Sequence, residues 1–308
     1  MSKKTSYLLG ILLTIIIGTL LYCYLCDDCH CNPNKEIETE DTNIVEEPEV
    51  ITATRNAFTI SDADGDFNIK INDNFNFKTS NFSILEPISA GVASNVGKLK
   101  DYLLENPLKD IDITGYYRSG EANNSAYPNL GLARANAVKN YLISQGIPSK
   151  QVDTHGELND DINPDDASTL FGPLKFGIVT LEEGATNEAL EAACDAIRKN
   201  PLVLYFNTGQ AQINLTAEQR QKIADISRCV DKLGVKVQVV GHTDNTGNAD
   251  SNMNLGQGRA DFAKSYLVTN GILGSNVEAT SKGQTEPIAD NNTEEGRKEN
   301  RRTVITIN

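Results

Sequence analysis

Two side chains of opposite charge carry the chemistry that this sequence most plainly offers. Asp244 stands in Gly241-His242-Thr243-Asp244 and Arg259 in Arg259-Ala260, 15 positions further on. A carboxylate accepts hydrogen bonds from an ammonium, and a guanidinium forks onto a carboxylate. Brought to one rim, the pair suits a ligand that carries an ammonium and a carboxylate close together. His242 adds an imidazole beside them, but a general base needs an orienting partner and a nucleophile or metal, and neither a second His nor a nucleophile elbow accompanies it. A hydrolase built on His242 and Asp244 is therefore the weaker reading, and binding without catalysis the stronger. The chain has three His in all, His30, His155 and His242, so a multi-His metal centre is not expected, nor any cofactor.

The elements that must position the pair read as strand, polar loop and helix. Val235, Val237 and Val239 alternate as in a strand, with Gly241 at its end. The stretch from Asn245 to Asn252 is turn chemistry, and a helix is predicted from about Gly256 to the C-cap signal Asn270-Gly271. Helix N–H groups at that rim favour anions.

Gly241-His242-Thr243-Asp244-Asn245-Thr246-Gly247, then Asn252, Leu255 and Arg259-Ala260, then Gly296 to Arg302 (GRKENRR), resemble in order and spacing the OmpA-like peptidoglycan-binding domain over about 202–308. The resemblance implies that Asp244 and Arg259 hold diaminopimelate of the peptidoglycan stem peptide; helices with one apolar stripe each predict an α/β two-layer sandwich, and Thr243, Asn252, Asn300 and Arg302 are secondary site candidates. The family often has Ser after the Leu; here Gly256 stands there, a weaker helix cap by a few tenths of a kcal/mol. Arg297, Asn300, Arg301 and Arg302 admit two readings, a rim of donors around the ligand carboxylate or a hydrogen-bonded tie within the loop.

The rest of the chain repeats this unit. Leu130–Ile147 parallels Leu255–Ile272 at a constant offset of 125, Gly115 matches Gly241 at 126, and Phe77 matches Phe206 at 129. This predicts two tandem βαβαβ units, 56–180 and 182–308, called here the first and second halves. In the first half Arg134 stands opposite Arg259, but Arg118 stands opposite Asp244, and an Arg repels an ammonium. No Asn-Arg-Arg segment follows; LFGPLKFGIV takes its place. The first half is thus expected to be a scaffold, or a surface for an envelope partner or a second copy, and not a second wall anchor. Tyr116 and Tyr117 read as packing residues at a strand end, or as lining for an altered cleft.

Other elements follow from local pattern. Ala57–Asn72 reads as a hairpin; Asp62, Asp64 and Asp66 at its turn lack the Gly and Glu that a calcium loop needs, since Phe67 takes position six. In the second half, Glu182–Asn200 is a predicted helix. Thr216 and Gln219 form a capping box before a helix with Ile223, Ile226, Val230 and Leu233 on its apolar face, and Thr303–Ile307 reads as the last strand. Cys194 and Cys229 read as small core residues, with a disulfide as the alternative.

Residues 1–26 read as a membrane anchor. Ser6–Leu25 is uncharged over about 20 residues, enough to span the ~30 Å of a bilayer core. Lys3 and Lys4 precede it, and Asp27 and Asp28 follow, placing the remainder outside the cytoplasm. No small-x-small site favours cleavage. A lipoprotein start at Cys23 is the other reading, against which bulky Tyr22 speaks. Cys23, Cys26, Cys29 and Cys31 suit disulfides or acylation better than a metal site. Residues 27–55 read as an acidic, solvated linker. The net charge of −14 and pI of about 4.7 argue against nucleic acid as a partner. These features together predict a single-pass protein of a Gram-negative-type envelope with periplasmic domains, in the inner membrane by preference and the outer as the alternative. A stator-like or secretion-complex subunit is the competing role; the span has no acidic residue for ion conduction.

Overall fold

The computed structural model describes residues 14–17, 52–65, 67–182, 188–205 and 214–308. The proposed anchor (apart from a helical turn at 14–17), the acidic leader to position 51, the four clustered cysteines and Phe206 lie outside the described residues. Among the described residues no helix is long and apolar enough to cross a membrane. Residues from Ile51 to Asn308 form one compact unit.

The fold is mixed α/β, and the same motif occurs in both halves. In the first half, strand β4 (Lys109–Tyr117) leads into helix α2 (Leu130–Ser144) and then strand β5 (Val152–Leu158), which pairs parallel to β4; β7 (Leu174–Thr180) pairs antiparallel to β4 on its other side. In the second half, β9 (Val237–His242), α5 (Ala249–Thr269) and β10 (Val277–Gly283) repeat the parallel unit, with β11 (Arg302–Ile307) antiparallel to β9 and β8 (Leu202–Tyr205) beyond it. The first half adds the hairpin β1 (Phe58–Ser61) and β2 (Asn68–Ile71), the pair β3 (Asn76–Lys78) and β6 (Thr169–Phe171), and helix α1 (Ala90–Glu105).

Each half has its own apolar core. Val92, Val96, Leu99 and Leu103 of α1 meet Phe58, Phe75, Ile111 and Ile113 in the first. In the second, α3 (Glu188–Lys199) and α4 (Ala217–Leu233) bring Leu190, Ile197, Ile223, Ile226 and Val230 against Leu204, Val239 and Ile305. The Thr216–Gln219 capping box opens α4 as the sequence predicts, and Gly234 at φ 68 closes it. Cys194 and Cys229 are fully buried in this core, but they are not free thiols. Their Cα atoms lie 5.9 Å apart and they form a disulfide joining α3 to α4, within the range a disulfide spans.

At Asp62 the turn is held by protein partners. Its carboxylate accepts from the Tyr102 hydroxyl and from Lys109 Nζ at 2.9 Å. The hydrogen bonds from Tyr102 and Lys109 hold its pKa at about 2; Asp66 lies outside the described residues.

The two halves meet largely through polar groups, with Ala126 of the first half packed into the apolar core of the second. Lys139 of α2 is buried and bonds to Asn136 at 2.6 Å and to Asp231 of α4. Lys232 bridges Asp110 at 2.8 Å and Asp153 at 2.7 Å. The amide of Ala126 donates to Asn270 Oδ1 at 2.6 Å.

Two expectations about the site-bearing segment change. Gly241 does not end β9, which runs on to His242, and α5 starts at Ala249, seven positions before Gly256. Asn248 is the N-cap, its side chain accepting from the amides of Asp250 at 2.8 Å and Ser251 at 3.4 Å. The letters that look like turn chemistry are thus a cap and an acidic first turn. Gly256 is no cap. It lies inside the helix, where the helix crosses β9 at backbone contact: a Cβ on Gly241 would stand 1.9 Å from Gly256 O, and one on Gly256 2.2 Å from Ser281 Oγ. The first half repeats the crossing, a Cβ on Gly115 falling 2.0 Å from Gly131 O.

This crossing yields a matched pair of substitutions. Gly241→Ala meets backbone that cannot move aside and is expected to cost more than about 3 kcal/mol in urea unfolding, whereas Gly258→Ala, in the same helix with nothing within 4 Å, gains roughly 0.5–1 kcal/mol from helix propensity. Equal effects at the two positions would refute the close crossing.

Candidate functional site

The site forms where β9 ends and α5 begins. Because the Gly241–Gly256 crossing presses α5 onto the strand, Arg259, almost one turn further along, reaches the strand's last carbonyl: its Nη1 donates to His242 O at 3.0 Å. Asp244 sits two residues beyond that carbonyl. Both side chains line one cleft of about 530 Å³, together with Thr243, Thr246, Asn252, Leu255, Glu294, Arg297 and Arg301. Asp244 and Arg259 are both largely buried, at 8% and 5% exposure, so both lie low in the cleft and not on open surface.

Asp244 is held from two sides. Its Oδ2 accepts from Arg301 Nη1 at 2.8 Å and its Oδ1 from the amide of Thr246 at 2.9 Å. Burial pushes its pKa up, but the Arg301 and Thr246 hydrogen bonds outweigh this and hold it below the usual carboxylate range. Arg301, tied also to Glu294 at 2.9 Å, is pushed up by Asp244. Burial, with Arg301 nearby, draws Arg259 down while Asp244 supports its charge; a guanidinium stays protonated throughout. The cleft thus presents two carboxylates, Asp244 and Glu294, and three guanidinium groups, Arg259, Arg297 and Arg301.

The remaining predicted residues divide. Thr243 and Asn252 reach the cleft but also build it. Thr243 Oγ1 donates to Asp244 O at 2.9 Å, and Asn252 Nδ2 donates to Gln284 Oε1 at 2.6 Å and to Thr246 O at 3.2 Å. Asn300 and Arg302 are outside the cleft lining. Asn300, the last residue of helix α6 (Glu294–Asn300), is fully buried: it accepts from the amides of Ile288 at 2.7 Å and Ala289 at 3.1 Å and donates to Ala289 O at 2.9 Å. Arg302 Nη2 donates to Glu286 O at 3.2 Å. Both tie the loop, whereas Arg301, between them, turns to Asp244. Arg301 is the C-cap of α6 and Arg302 the first residue of β11, so the change of backbone conformation between them sends their side chains different ways.

His242 is not among the cleft-lining residues. It is 3% exposed, and its Nδ1 has no hydrogen-bond partner among the described residues. Burial, followed by the nearby charge of Arg302, brings its pKa down to about 4, so the ring is neutral at pH 7.

In the first half Arg118 occupies the position of Asp244, and the amide of Arg118 bonds to Glu121 at 2.8 Å. Arg134, opposite Arg259, is fully buried and donates to Tyr116 O at 2.8 Å. The first half lacks the cleft acid and keeps the arginine.

The family model described as "OmpA family" matches residues 77–169 and again 205–301. The chain belongs to the OmpA family. Among curated relatives, this OmpA-family chain is 35% identical over 120 residues to the peptidoglycan-binding protein ArfA of Mycobacterium tuberculosis, covering 39% of the chain and 36% of that protein. It is 46% identical over 71 residues to the probable lipoprotein YiaD of Escherichia coli, covering 23% and 32%. The chain thus spans about a third of the length of these relatives. Among solved structures, the C-terminal domain of Helicobacter pylori MotB is 28% identical over 35% of this chain and 84% of that one, with a TM-score of 0.30.

The depressed pKa of His242 has a measurable consequence. The folded value of about 4 lies below the ordinary 6.5, so the unfolded chain binds the extra proton first, and stability present above pH 6.5 is lost as pH falls toward 4. Unfolding free energy should drop by roughly 2 kcal/mol more between pH 7 and 4.5 in the wild type than in His242→Asn; an unchanged pH slope in the variant would refute the burial of a neutral ring.

Proposed function

We propose that this chain is a non-enzymatic cell-envelope module that grips peptidoglycan through the zwitterionic end of diaminopimelate. The observation that carries the reading is that Asp244 and Arg259 line a single cleft. Asp244, kept ionised by Arg301, takes the ligand ammonium, and Arg259 forks onto the ligand carboxylate. Arg301 orients the acid without exhausting it, because a carboxylate has about four acceptor sites. Leu255 gives the methylene chain an apolar wall. The likeness to ArfA, a peptidoglycan-binding protein, supports the same reading.

In this reading the two halves are tandem OmpA-like domains, 56–180 and 182–308, behind an uncleaved anchor at 1–26 in the inner membrane and a linker at 27–55. The buried disulfide between α3 and α4 favours an oxidising compartment outside the cytoplasm. A tether of this kind raises the effective concentration of the cleft at the wall.

Sacculus co-sedimentation of the detergent-solubilised full chain tests the proposal. Wild type and Arg118→Ala are expected to sediment with diaminopimelate-type sacculi. Asp244→Ala and Arg259→Ala should each weaken retention at least about tenfold, about 1.4 kcal/mol. Sacculi carrying lysine, which lacks the second carboxylate, should retain the wild type as poorly as the Arg259 variant. Undiminished sedimentation of the Asp244, Arg259 double variant would refute the site.

A further inference from the structure

Arg134 of the first half and Arg259 of the second make the same backbone contact. Each follows the helix glycine of a helix–strand crossing, and each donates Nη1 to the carbonyl of the residue after the strand glycine, Tyr116 O at 2.8 Å and His242 O at 3.0 Å. In the first half the arginine faces a carboxylate from its own chain. Glu121 is buried, its side chain 1% exposed. Its Oε1 accepts from Arg134 Nη2 and from the amide of Ser80 at 2.8 Å; its Oε2 accepts from Arg134 Nη1 at 3.0 Å and from the amide of Arg118 at 2.8 Å.

The remaining guanidinium donors go to Asn81 O at 3.0 Å and Lys78 O at 3.3 Å. All five N–H groups of the guanidinium are thereby used. Two-pronged pairing of a planar guanidinium with a carboxylate, completed by backbone amides, is how a protein receives a carboxylate ligand. The stretch of the second half that matches Glu121 is Thr246-Gly247, which carries no acid.

We propose that the first half contains a carboxylate-binding site that its own Glu121 occupies. The side chain does in the first half what the carboxylate of a ligand does at Arg259, and a free carboxylate enters the first half only when Glu121 is gone. The chain therefore takes up one zwitterionic ligand, in the second half, and the first half keeps the receptor construction as internal structure. The count of one rests on the proposed function; the occupancy of the first site does not.

Chemical rescue of the full chain tests the occupancy. Glu121→Ala removes the carboxylate and leaves a space lined by Arg134 and the amides of Ser80 and Arg118. Its melting temperature is expected to fall by at least about 5 °C and to recover in about 0.1 M sodium acetate or formate relative to sodium chloride at the same ionic strength, since a ligand that binds only the folded state stabilises it. Wild type and Glu121→Gln, in which a side chain fills the space, should melt alike in the two salts. If Glu121→Ala does not fold in chloride, folding yield replaces melting temperature as the readout: acetate-dependent folding supports the proposal, and failure in both salts overturns it. An alanine variant as stable as wild type, or one indifferent to acetate, also overturns it. A separate titration of wild type with a diaminopimelate-containing muropeptide is expected to give one site per chain. Two sites overturn this proposal, whereas none overturns the reading of the second cleft and leaves the acetate result standing.

Discussion

The constraint on which the rest depends is the backbone contact between a strand glycine and a helix glycine, made once at Gly115 and Gly131 and again at Gly241 and Gly256. Any Cβ at Gly115 or Gly241 would collide with a helix carbonyl, so each helix lies against its strand at the least distance a polypeptide allows. From that distance an arginine three residues after the helix glycine reaches the carbonyl just past the strand glycine. The guanidinium is thereby placed at the strand's carboxyl end by main-chain geometry, and the loop between strand and helix decides what it meets there.

The two halves place the acid differently at that point. Burying an arginine is costly unless its charge and all its donors are met. The first half meets them with Glu121 and backbone carbonyls, giving a satisfied and rigid unit. The second half places its acid elsewhere: Asp244 stands across the cleft and pairs with Arg301, which keeps the carboxylate ionised and fixed in direction. A cleft-lining arginine and a buried ion pair thus come from one construction, separated by which residue of the loop carries the acid.

Much of this was legible in the sequence because it rests on spacing. The repeat offset, the capping box of α4 and the strand–loop–helix order around Asp244 and Arg259 follow from patterns of period and punctuation. What was not legible depends on tertiary partners. Asn248 looks like a loop residue until its side chain is seen capping α5, and Gly256 looks like a cap until its neighbour across the sheet is known. Cys194 and Cys229 differ from free core thiols only in a Cα separation that no spacing reveals. Arg301 and Arg302 are adjacent and alike; only the switch from the end of α6 to the start of β11 sends one to the cleft and the other to the loop. Glu121 gave no signal at all, since nothing in its local sequence announces a partner 13 residues away.

The junction between the halves shows how a duplicated sequence acquires one fixed arrangement. Lys139 and Lys264 occupy matching helix positions, 125 apart, yet Lys139 is buried against Asp231 while Lys264 remains half-buried. The difference arises because α4 of the second half lies over that face of α2. Buried ion pairs of this kind contribute little net stability, since desolvation offsets most of the attraction. They are demanding in geometry, however: Lys232 must meet both Asp110 and Asp153, and Lys139 must meet Asn136 and Asp231 together. A slipped docking would leave several charges buried without partners, each at a cost of several kcal/mol. An apolar seam would tolerate such a slip. The polar junction instead fixes how the cleft-bearing half sits on its partner within the one compact unit formed from Ile51 onward.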